Sequence, residues 1–324
     1  MKKIITIIMS ALIIMPVNAY AVENGTNAKN DSNAVAIDGG GSGFLYAPRI
    51  VLTVAHSLEA GFSKEYIRIV GYPGQLTTIN KYPITWPTVK SVKTFYATGF
   101  KPRTQNDWSR IDDFAVIVLE RPMEMKNKVR IATIEDVKGY KENNTLVHMI
   151  GYGRQQDRRN PDQQGSVNIY PNEMISKILN DQESNAIKQG LPPGVIFSSD
   201  INFEQRQGQA STCDGDSGAG WFVEENDYRV YLGAQSSGWG MSNCGHHGLW
   251  DPNGAMSGIS GAYKFIDLIK EAEQYIKNHP YNEPQTKQLY EKSNTNRILC
   301  VKNKTKKYLN ATRCPKGYVL TKKK

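Results

Sequence analysis

Short apolar stretches separated by turn-forming residues run through most of this chain and constrain its fold more than any other feature. They recur between residue 34 and about residue 260, at 43–46, 50–54, 66–70, 114–119, 146–150, 219–223 and 230–232. Gly, Pro, Asn and Asp separate them, which is typical of short strands joined by turns. The pattern predicts an all-β antiparallel sandwich or barrel and argues against a parallel sheet with alternating helices.

One helix is predicted at the end of this region, over residues 263–276. Its apolar residues recur at helical spacing, at Phe265, Ile266, Ile269, Ala272 and Ile276. Pro280 and Pro284 follow and predict a boundary there.

The positive charge of the chain is concentrated beyond that boundary. The formal net charge is +9, but residues 280–324 hold twelve Lys and Arg against two Glu, which leaves −1 for the other 279 residues. We expect residues 280–324 to form a small basic extension, either a solvated appendage or a segment that binds an anionic surface or polymer by charge. Its lysines lack an aromatic stacking pattern, so specific nucleic-acid binding is not expected.

The N-terminus has the pattern of a secretory signal peptide. Two lysines precede an apolar run at residues 4–17, and Ala19-Tyr20-Ala21 follows it. The run is shorter than the roughly 20 residues that a membrane-spanning helix needs. The pattern predicts a signal peptide over residues 1–21, cleavage after Ala21, and a secreted or periplasmic protein without a membrane span.

Four cysteines, an even number, are consistent with two disulfides in an exported protein. Three pairings are possible, and the grouping along the chain favours Cys213 with Cys244 and Cys300 with Cys314. The sequence contains no CxxC pair and no HExxH motif, so neither a metal nor an organic cofactor is expected.

Three segments together contain the residue types that catalyse the cleavage of acyl bonds. Residues 51–56 read VLTVAH, residues 112–119 read DDFAVIVL and residues 213–220 read CDGDSGAG. A Ser hydroxyl becomes a nucleophile when an imidazole takes its proton, and a buried carboxylate holds that imidazole in the required tautomer. The oxyanion then needs fixed donors, for which the amides of Gly215 and Ser217 are candidates.

In the order His, Asp, Ser, these segments resemble the trypsin/chymotrypsin-like serine peptidases. Residues 52–56 resemble the family's Thr-Ala-Ala-His segment, residues 113–115 its Asp-Ile-Ala segment, and residues 215–218 its nucleophile turn. Residues 151–153 are similar to a Gly-Trp-Gly marker between the two barrels of the family. The resemblance covers about residues 22–278, and the predicted peptidase domain is residues 22–279.

The resemblance implies a fold and a set of catalytic roles. The fold would be two packed six-stranded antiparallel β-barrels with a C-terminal helix, and the catalytic residues would lie in the cleft between the barrels. Ser217 would be the nucleophile, His56 the general base and acid, and Asp113 the orienting carboxylate, with Asp112 as the alternative. The implied activity is that of a serine endopeptidase acting on proteins or peptides, and the alternative is a non-catalytic binding protein on the same fold.

The resemblance also implies an activation pair and a family disulfide. Residues 22–28 are similar to the family's mature start, whose free amino group pairs with the acid before the nucleophile. Here these groups would be Val22 and Asp216, and removal of the signal peptide alone would activate the enzyme. Cys213 and Cys244 match a family disulfide beside the specificity pocket.

The sequence predicts the substrate preference less precisely than it predicts the catalytic residues. The base of the pocket would fall on Ser211, with Thr212 beside it, and a neutral base favours a large apolar or aromatic side chain before the cleaved bond. Thr212 with His246 or His247 leaves selectivity for glutamate open, and Asp251 leaves selectivity for basic residues open.

The chain departs from the family pattern near the predicted substrate-lining strand, Trp239-Gly240. Gly238 precedes Trp239, where the family usually has a Ser that bonds the catalytic Asp, and Ser236 or Ser237 is a candidate to replace it. Residues 219–220 read Ala-Gly where the family usually has Gly-Pro.

Overall fold

The structure is a computed structural model that describes residues 22, 25–28, 30–37, 41–59, 68–70, 88–100, 112–153, 171–187, 195–199, 212–213, 215–239, 256–282, 297–302, 305–310 and 319–323. The strands are β1 (Thr26–Asn27), β2 (Ala34–Ile37), β3 (Gly41–Ala47), β4 (Ile50–Thr53), β5 (Arg68–Val70), β6 (Thr88–Tyr96), β7 (Ala115–Leu119), β8 (Lys128–Ile131), β9 (Leu146–Gly151), β10 (Asn172–Lys177), β11 (Val195–Ser199), β12 (Gly220–Glu225), β13 (Tyr228–Trp239), β14 (Met256–Gly261), β15 (Arg297–Lys302), β16 (Thr305–Asn310) and β17 (Val319–Lys323). The helices are α1 (His56–Glu59), α2 (Ile134–Glu142), α3 (Asp181–Ile187) and α4 (Ile266–Asn278), and a 3₁₀ turn at Ala262–Phe265 leads into α4. The predicted signal peptide lies outside the described residues.

The first half of the main unit is a closed six-stranded barrel. Its strands follow the order β2-β3-β4-β7-β6-β5, and β5 pairs back with β2, each pair being antiparallel. Leu45, Val51 and Ile117 belong to one buried cluster that draws on five of the six strands and fills the barrel interior. Strands β4 and β7 are buried along their whole length because their other face also packs, against the second half and the C-terminal helix.

The second half is built on another antiparallel sheet. Its strand order is β1-β10-β9-β12-β13-β14-β11, and β8 joins it in parallel with β13. Trp221, Met149 and Leu232 are fully buried in its core. These two β units, followed by one C-terminal helix, confirm the predicted all-β, chymotrypsin-like two-barrel fold, although the second sheet has eight strands where six were expected.

Aromatic side chains join the two barrels. The Phe44 ring on β3 stacks on Tyr231 of β13 with ring centroids 4.7 Å apart, and it lies 5.7 Å from the Phe222 ring. A Cβ at Gly220 would lie 2.2 Å from the Phe44 ring, so only glycine allows this approach. The Ala-Gly departure at residues 219–220 therefore has a packing reason in this chain.

The C-terminal helix of this unit packs on the first barrel. Phe265 stacks face to face on Phe114, with centroids 4.7 Å apart and an interplanar angle of 7°. The Tyr46 hydroxyl donates to Glu273 over 3.1 Å, and burial together with this carboxylate raises the pKa of Tyr46 to about 12. The predicted helix over 263–276 is present, but its first residues form the 3₁₀ turn.

Several elements were not predicted from the sequence. The predicted stretches coincide with β3, β4, β5, β7, β9, β12 and β13, whereas β2, β6, β10, β11, β14 and the three shorter helices carry weaker patterns. Strand β10 (NEMISK) shows why, because it alternates buried and exposed residues and includes two charged side chains. Such a strand is stabilised by its neighbours in the sheet, and its own composition gives little signal from which to predict it.

A buried ionic cluster links the segment before β2 to the second barrel. The Arg229 guanidinium on β13 donates to Asp31, to Asn33 over 3.0 Å and to Glu224 over 2.9 Å. It also lies 4.3 Å from the centre of the Phe222 ring. The Asp31 carboxylate in turn accepts from the backbone N–H groups of Asn33 and Ala34, each over 2.8 Å. The cluster therefore holds the start of the first barrel against the second.

Residues 279–324 form a second compact unit. Its backbone forms a three-stranded antiparallel sheet in the order β16-β15-β17. In the register of this sheet, Cys300 lies opposite Lys307 on one side and Leu320 on the other. None of the helices described here combines the length and the apolar character needed to cross a membrane.

Replacing Arg229 with Met should destabilise the main unit by about 3–5 kcal/mol, because it leaves the buried Asp31 carboxylate without its cation. Urea unfolding of both proteins measures this. Lys138→Met is the matched control, because Lys138 pairs with Glu142 over 3.9 Å on the surface, and its loss should cost no more than about 0.5 kcal/mol. Equal, small effects of the two substitutions would contradict the structural role of the cluster.

Candidate active site

His56 is the first residue of α1, and Val54 and Ala55 separate it from the end of β4. Its backbone N–H donates to Asp113 Oδ1 over 2.9 Å, and its ring Nδ1 lies 2.6 Å from Asp113 Oδ2. The other ring nitrogen, Nε2, lies 3.0 Å from Ser217 Oγ. The three residues predicted to form the triad are therefore joined in one series of hydrogen bonds.

The structure places the two adjacent acids differently. Asp113 is fully buried beside His56. Asp112 has a φ of 51°, a left-handed conformation that Asp tolerates, and its partly exposed carboxylate lies 3.4 Å from Lys264 Nζ. Asp113 is thus the acid in contact with the imidazole, and Asp112 links the turn before β7 to the C-terminal helix region.

The surroundings of Asp113 keep it ionised. Burial alone would raise its pKa, but the hydrogen bonds and charge of His56 and the hydroxyl of Ser236 together hold the pKa below its ordinary value. The Ser236 hydroxyl donates to Asp113 Oδ2 over 2.5 Å. A buried carboxylate with this many donors orients the imidazole without taking its proton.

Ser236 makes the contact with Asp113 for which the sequence left two candidates, Ser236 and Ser237. The pairing of β13 with β14 shifts register between Gln235 and Ser237, so Ser236 is the extra residue of a β-bulge. A bulge redirects a side chain, and here it accompanies the contact of Ser236 with Asp113. The residues directly after Ser236 are Ser237 and Gly238, and Trp239 follows at the last position of β13.

The turn that carries Ser217 depends on two glycines in the left-handed region. Gly215 has a φ of 96° and Gly218 a φ of 88°, which L side chains rarely adopt. No described residue accepts a hydrogen bond from the backbone N–H of Gly215 or Ser217. These are the two amides predicted to bind an oxyanion.

Ser42, on β3 of the first barrel, holds this turn in place. Its N–H donates to the Ser217 carbonyl over 2.9 Å, and its hydroxyl donates to the Gly215 carbonyl over 2.8 Å. The same hydroxyl accepts from the N–H of Tyr152 over 2.9 Å, and the Thr53 hydroxyl donates to the Ser42 carbonyl over 2.8 Å. Sequence reasoning missed Ser42, because a Ser in a glycine-rich run (GGGSG) has no pattern that indicates such contacts.

The Gly-Tyr-Gly segment at residues 151–153 makes room for the carboxylate of Asp216. The N–H of Gly153 donates to Asp216 Oδ1 over 2.7 Å, and the N–H of Cys213 donates to Oδ2 over 2.9 Å. A Cβ would lie 2.2 Å from Asp216 Oδ1 if placed on Gly151, and 2.4 Å from Asp216 Cγ if placed on Gly153. Both glycines are thus required by the buried acid that precedes Ser217.

Val22, the other member of the predicted activation pair, is fully buried in the core of the second barrel. Its carbonyl accepts from the N–H of Gly25 over 2.8 Å, which closes a tight turn. Its φ of 47° is unusual for a β-branched residue.

The predicted substrate pocket is described only in part. Thr212 is buried, and its Oγ1 lies 3.0 Å from the Oγ of Ser257 on β14, a residue that sequence reasoning did not identify. Ser257 lies opposite Gly238 in the pairing of β13 with β14. Other predicted pocket residues lie outside the described residues, and these are Ser211, Gly240, His246, His247 and Asp251.

Cys213 is disulfide-bonded. Cys244, its expected partner, lies outside the described residues, as does Cys314, the expected partner of Cys300. Both pairings therefore stay predictions.

Comparisons with known proteins identify a family and a similar fold. The sequence profile of the Trypsin family matches residues 22–253, which is most of the chain. The chain belongs to the trypsin family. Among solved structures, this trypsin-family chain is similar in fold to HL collagenase, with a TM-score of 0.55 and 16% sequence identity over 78% of this chain and 99% of that one. A comparison with curated proteins finds no match.

Membership of the trypsin family makes this chain a serine endopeptidase. Its substrates are therefore proteins or peptides.

Gly153→Ala should lower peptidase activity by on the order of 100-fold or more, because the added methyl group displaces Asp216 and with it the turn that carries Ser217. Cleavage of a peptide substrate measures this. Gly139→Ala is the control, because a Cβ at this position of α2 meets no atom within 4 Å. The control should retain full activity and gain about 0.5–1 kcal/mol in unfolding free energy. Full activity of Gly153→Ala would show that Asp216 does not need this space.

Proposed function

We propose that this protein is an exported serine endopeptidase that cleaves peptide bonds through a His56, Asp113 and Ser217 triad. One observation carries the proposal: Asp113, His56 and Ser217 are linked in series by contacts of 2.6 and 3.0 Å. Such contacts fit a general base that reaches both a nucleophile and an orienting acid.

The mechanism follows from these positions. His56 Nε2 takes the Ser217 hydroxyl proton while Ser217 Oγ attacks the substrate carbonyl carbon, and the N–H groups of Gly215 and Ser217 bind the resulting oxyanion. The imidazolium formed is stabilised by the Asp113 carboxylate and gives its proton to the leaving amine, so that an ester remains on Ser217. Water, activated by His56, then hydrolyses this ester and restores the free hydroxyl.

The alternative is a non-catalytic binding protein on the same fold. A binding protein has no need of a buried acid supported by several donors or of an imidazole within reach of a serine. The bond from Ser236 to Asp113 favours catalysis in particular, because it stabilises the ionised acid that an imidazolium requires.

The proposed preference is for a large apolar or aromatic side chain before the cleaved bond. The Thr212–Ser257 contact supports it, because two neutral hydroxyls that bond to each other provide no charge to balance a charged substrate side chain. Selectivity for glutamate and selectivity for basic residues are the other outcomes that a test distinguishes.

Activation is proposed to follow from export alone. Cleavage after Ala21 would make Val22 the N-terminal residue, and its α-ammonium group would pair with Asp216. The buried position of Val22 supports this. Its positive φ does so as well, because a strained φ needs a preceding residue and is abolished when that peptide bond is cut.

Ser217→Ala should abolish cleavage of a mixed-sequence peptide library, with a loss of up to about 10⁶-fold in rate. Mass spectrometry of the products also identifies the residue before each cut. A paired test compares Asp113→Asn, expected to lower the rate about 10⁴-fold, with Asp112→Asn, expected to leave it nearly unchanged. Library cleavage by Ser217→Ala at the rate of the unsubstituted protein would contradict the proposed nucleophile.

We further propose that residues 280–324 bind an anionic polymer or surface by charge. Residues 297–324 contain ten Lys and Arg and neither Asp nor Glu. Six of these residues lie on the three strands of the C-terminal sheet, at Arg297, Lys302, Lys306, Lys307, Lys322 and Lys323. A small sheet with this charge favours sequence-independent binding to polyanions.

Retention on heparin should therefore be strong at low salt and lost when residues 280–324 are removed, because the interaction is mainly electrostatic. The elution salt concentration of the full chain and of the deletion measures this. In the full chain, Lys306→Gln with Lys307→Gln should lower that concentration, whereas Lys138→Gln with Lys270→Gln, at exposed positions of the main unit, should not. Unchanged retention of the deletion would disprove the proposal.

A further inference from the structure

Asn172 is a fully buried polar residue at the start of β10. In the sheet it lies opposite Asn27 of β1 and opposite Gly151 of β9. It therefore lies between the N-terminal segment on one side and the Gly-Tyr-Gly segment around Asp216 on the other.

One end of the Asn172 side chain contacts the N-terminal turn. Its Nδ2 donates to the Gly25 carbonyl over 3.4 Å, and the Gly25 N–H donates to the Val22 carbonyl over 2.8 Å. The Asn172 amide is thus two hydrogen bonds away from Val22, which is itself fully buried.

The other end of this side chain is an acceptor that the described residues leave unused. Asn172 Oδ1 is buried and accepts no hydrogen bond from any residue described in the structure. A buried amide oxygen without a donor costs free energy, so such an atom in a folded protein calls for an explanation.

Asp216 lies near the same place from the opposite side. A Cβ on Gly151, the register partner of Asn172, would lie 2.2 Å from Asp216 Oδ1. Asn172, whose amide contacts the turn that contains Val22, and Asp216 are therefore both neighbours of Gly151.

We propose that Asn172 Oδ1 accepts a hydrogen bond from the α-ammonium group of Val22 once the chain is cleaved after Ala21. Asn172 is then a positioning residue: it acts through the N-terminus on the turn that carries Ser217. This inference rests on the proposed pairing of Val22 with Asp216.

The chemistry of a buried ammonium group supports this role. The group has three N–H donors, and a buried cation is stable only when its charge is paired and its donors find acceptors. Asp216 supplies the charge while its two oxygens also accept from the N–H groups of Gly153 and Cys213. A second, neutral acceptor adds a hydrogen bond to the charged form without a second negative charge next to the catalytic turn.

The proposal predicts the direction of a pH effect. An acceptor that bonds to the ammonium form raises the pKa of the amine, so the active conformation persists to higher pH. Among the described residues, the charged and titratable groups on the elements nearest Val22 include Asp216, on the turn that carries Ser217, and the Glu173–His148 pair on β10 and β9, whose atoms are 2.7 Å apart. Lys177, at the far end of β10, pairs with Glu183 over 2.6 Å. Tyr140 and Tyr263 pack against the same core.

The experiment compares Asn172→Ala, Asn172→Asp and the unsubstituted full chain after export, each with its N-terminal residue sequenced. Asn27→Ala is the matched control, since it changes the exposed register partner of Asn172 on β1. Three quantities are measured: kcat and KM against pH, the rate at which cyanate carbamylates the α-amine, and thermal unfolding.

Asn172→Ala should lower the pH of the alkaline limb of kcat by about one unit, since losing a hydrogen bond to a charged group is worth about one pKa unit. Carbamylation should become on the order of tenfold faster, with KM little changed. Asn172→Asp, which keeps an acceptor and loses the amide donor, should retain the alkaline limb. Asn27→Ala should match the unsubstituted protein.

Each of three negative outcomes would contradict a different part of the proposal. If protein with extra residues before Val22 is as active as protein that starts at Val22, the activation pair is wrong and this inference falls with it. If activity needs the free Val22 terminus but Asn172→Ala keeps the alkaline limb and the slow carbamylation, only the role of Asn172 is overturned. If both Asn172 variants unfold earlier but keep the alkaline limb, Asn172 is structural and the proposal is wrong.

Discussion

The contact between Ser42 and the turn that carries Ser217 is the interaction on which the catalytic geometry depends. His56 and Asp113 belong to the first barrel, whereas Ser217 belongs to the second. Ser42 bonds to the carbonyl groups of Ser217 and Gly215 across that boundary, over 2.9 and 2.8 Å. A shift of about one ångström between the barrels would open the contact between His56 and Ser217, and misplacement on that scale is costly for catalysis.

Glycines permit this close approach at several points, each for a different neighbour. A Cβ on Gly218 would lie 2.1 Å from the Ser42 carbonyl oxygen and from the Thr53 hydroxyl. Gly153 leaves room for the Asp216 carboxylate, and Gly220 for the Phe44 ring. Motifs that look like simple turn signals in the sequence are thus places where a charge, a ring or a backbone carbonyl occupies the volume of a side chain.

The described residues of the N-terminal segment contact the second barrel and lead into the first. Val22 is buried in the second core, β1 pairs with β10, and Asp31 then meets Arg229. Under the proposed activation, a change at Val22 would act on a segment whose described residues contact both barrels. Asn172 pairs with this segment through β1, and its unused acceptor is therefore proposed to act on the turn that carries Ser217.

The sequence by itself determined the class of fold and the candidate triad. Strands such as β4 and β7 are almost entirely apolar because both of their faces are buried. His56, Asp113 and Ser217 lie in short motifs that can be recognised from the sequence. Strands with mixed composition, such as β10, escaped prediction because their burial depends on partners far away in the chain.

Only the tertiary structure decided which of the neighbouring candidates does what. Asp113 rather than Asp112 contacts the imidazole, and the left-handed backbone of Asp112 accompanies the different placement of the two side chains. Ser236 rather than Ser237 meets Asp113 because a bulge in β13 selects the side chain that reaches it. The contacts of Ser42 with Ser217 and of Asn172 with Gly25 leave no local pattern, since each joins residues more than a hundred positions apart that only folding brings within hydrogen-bond distance.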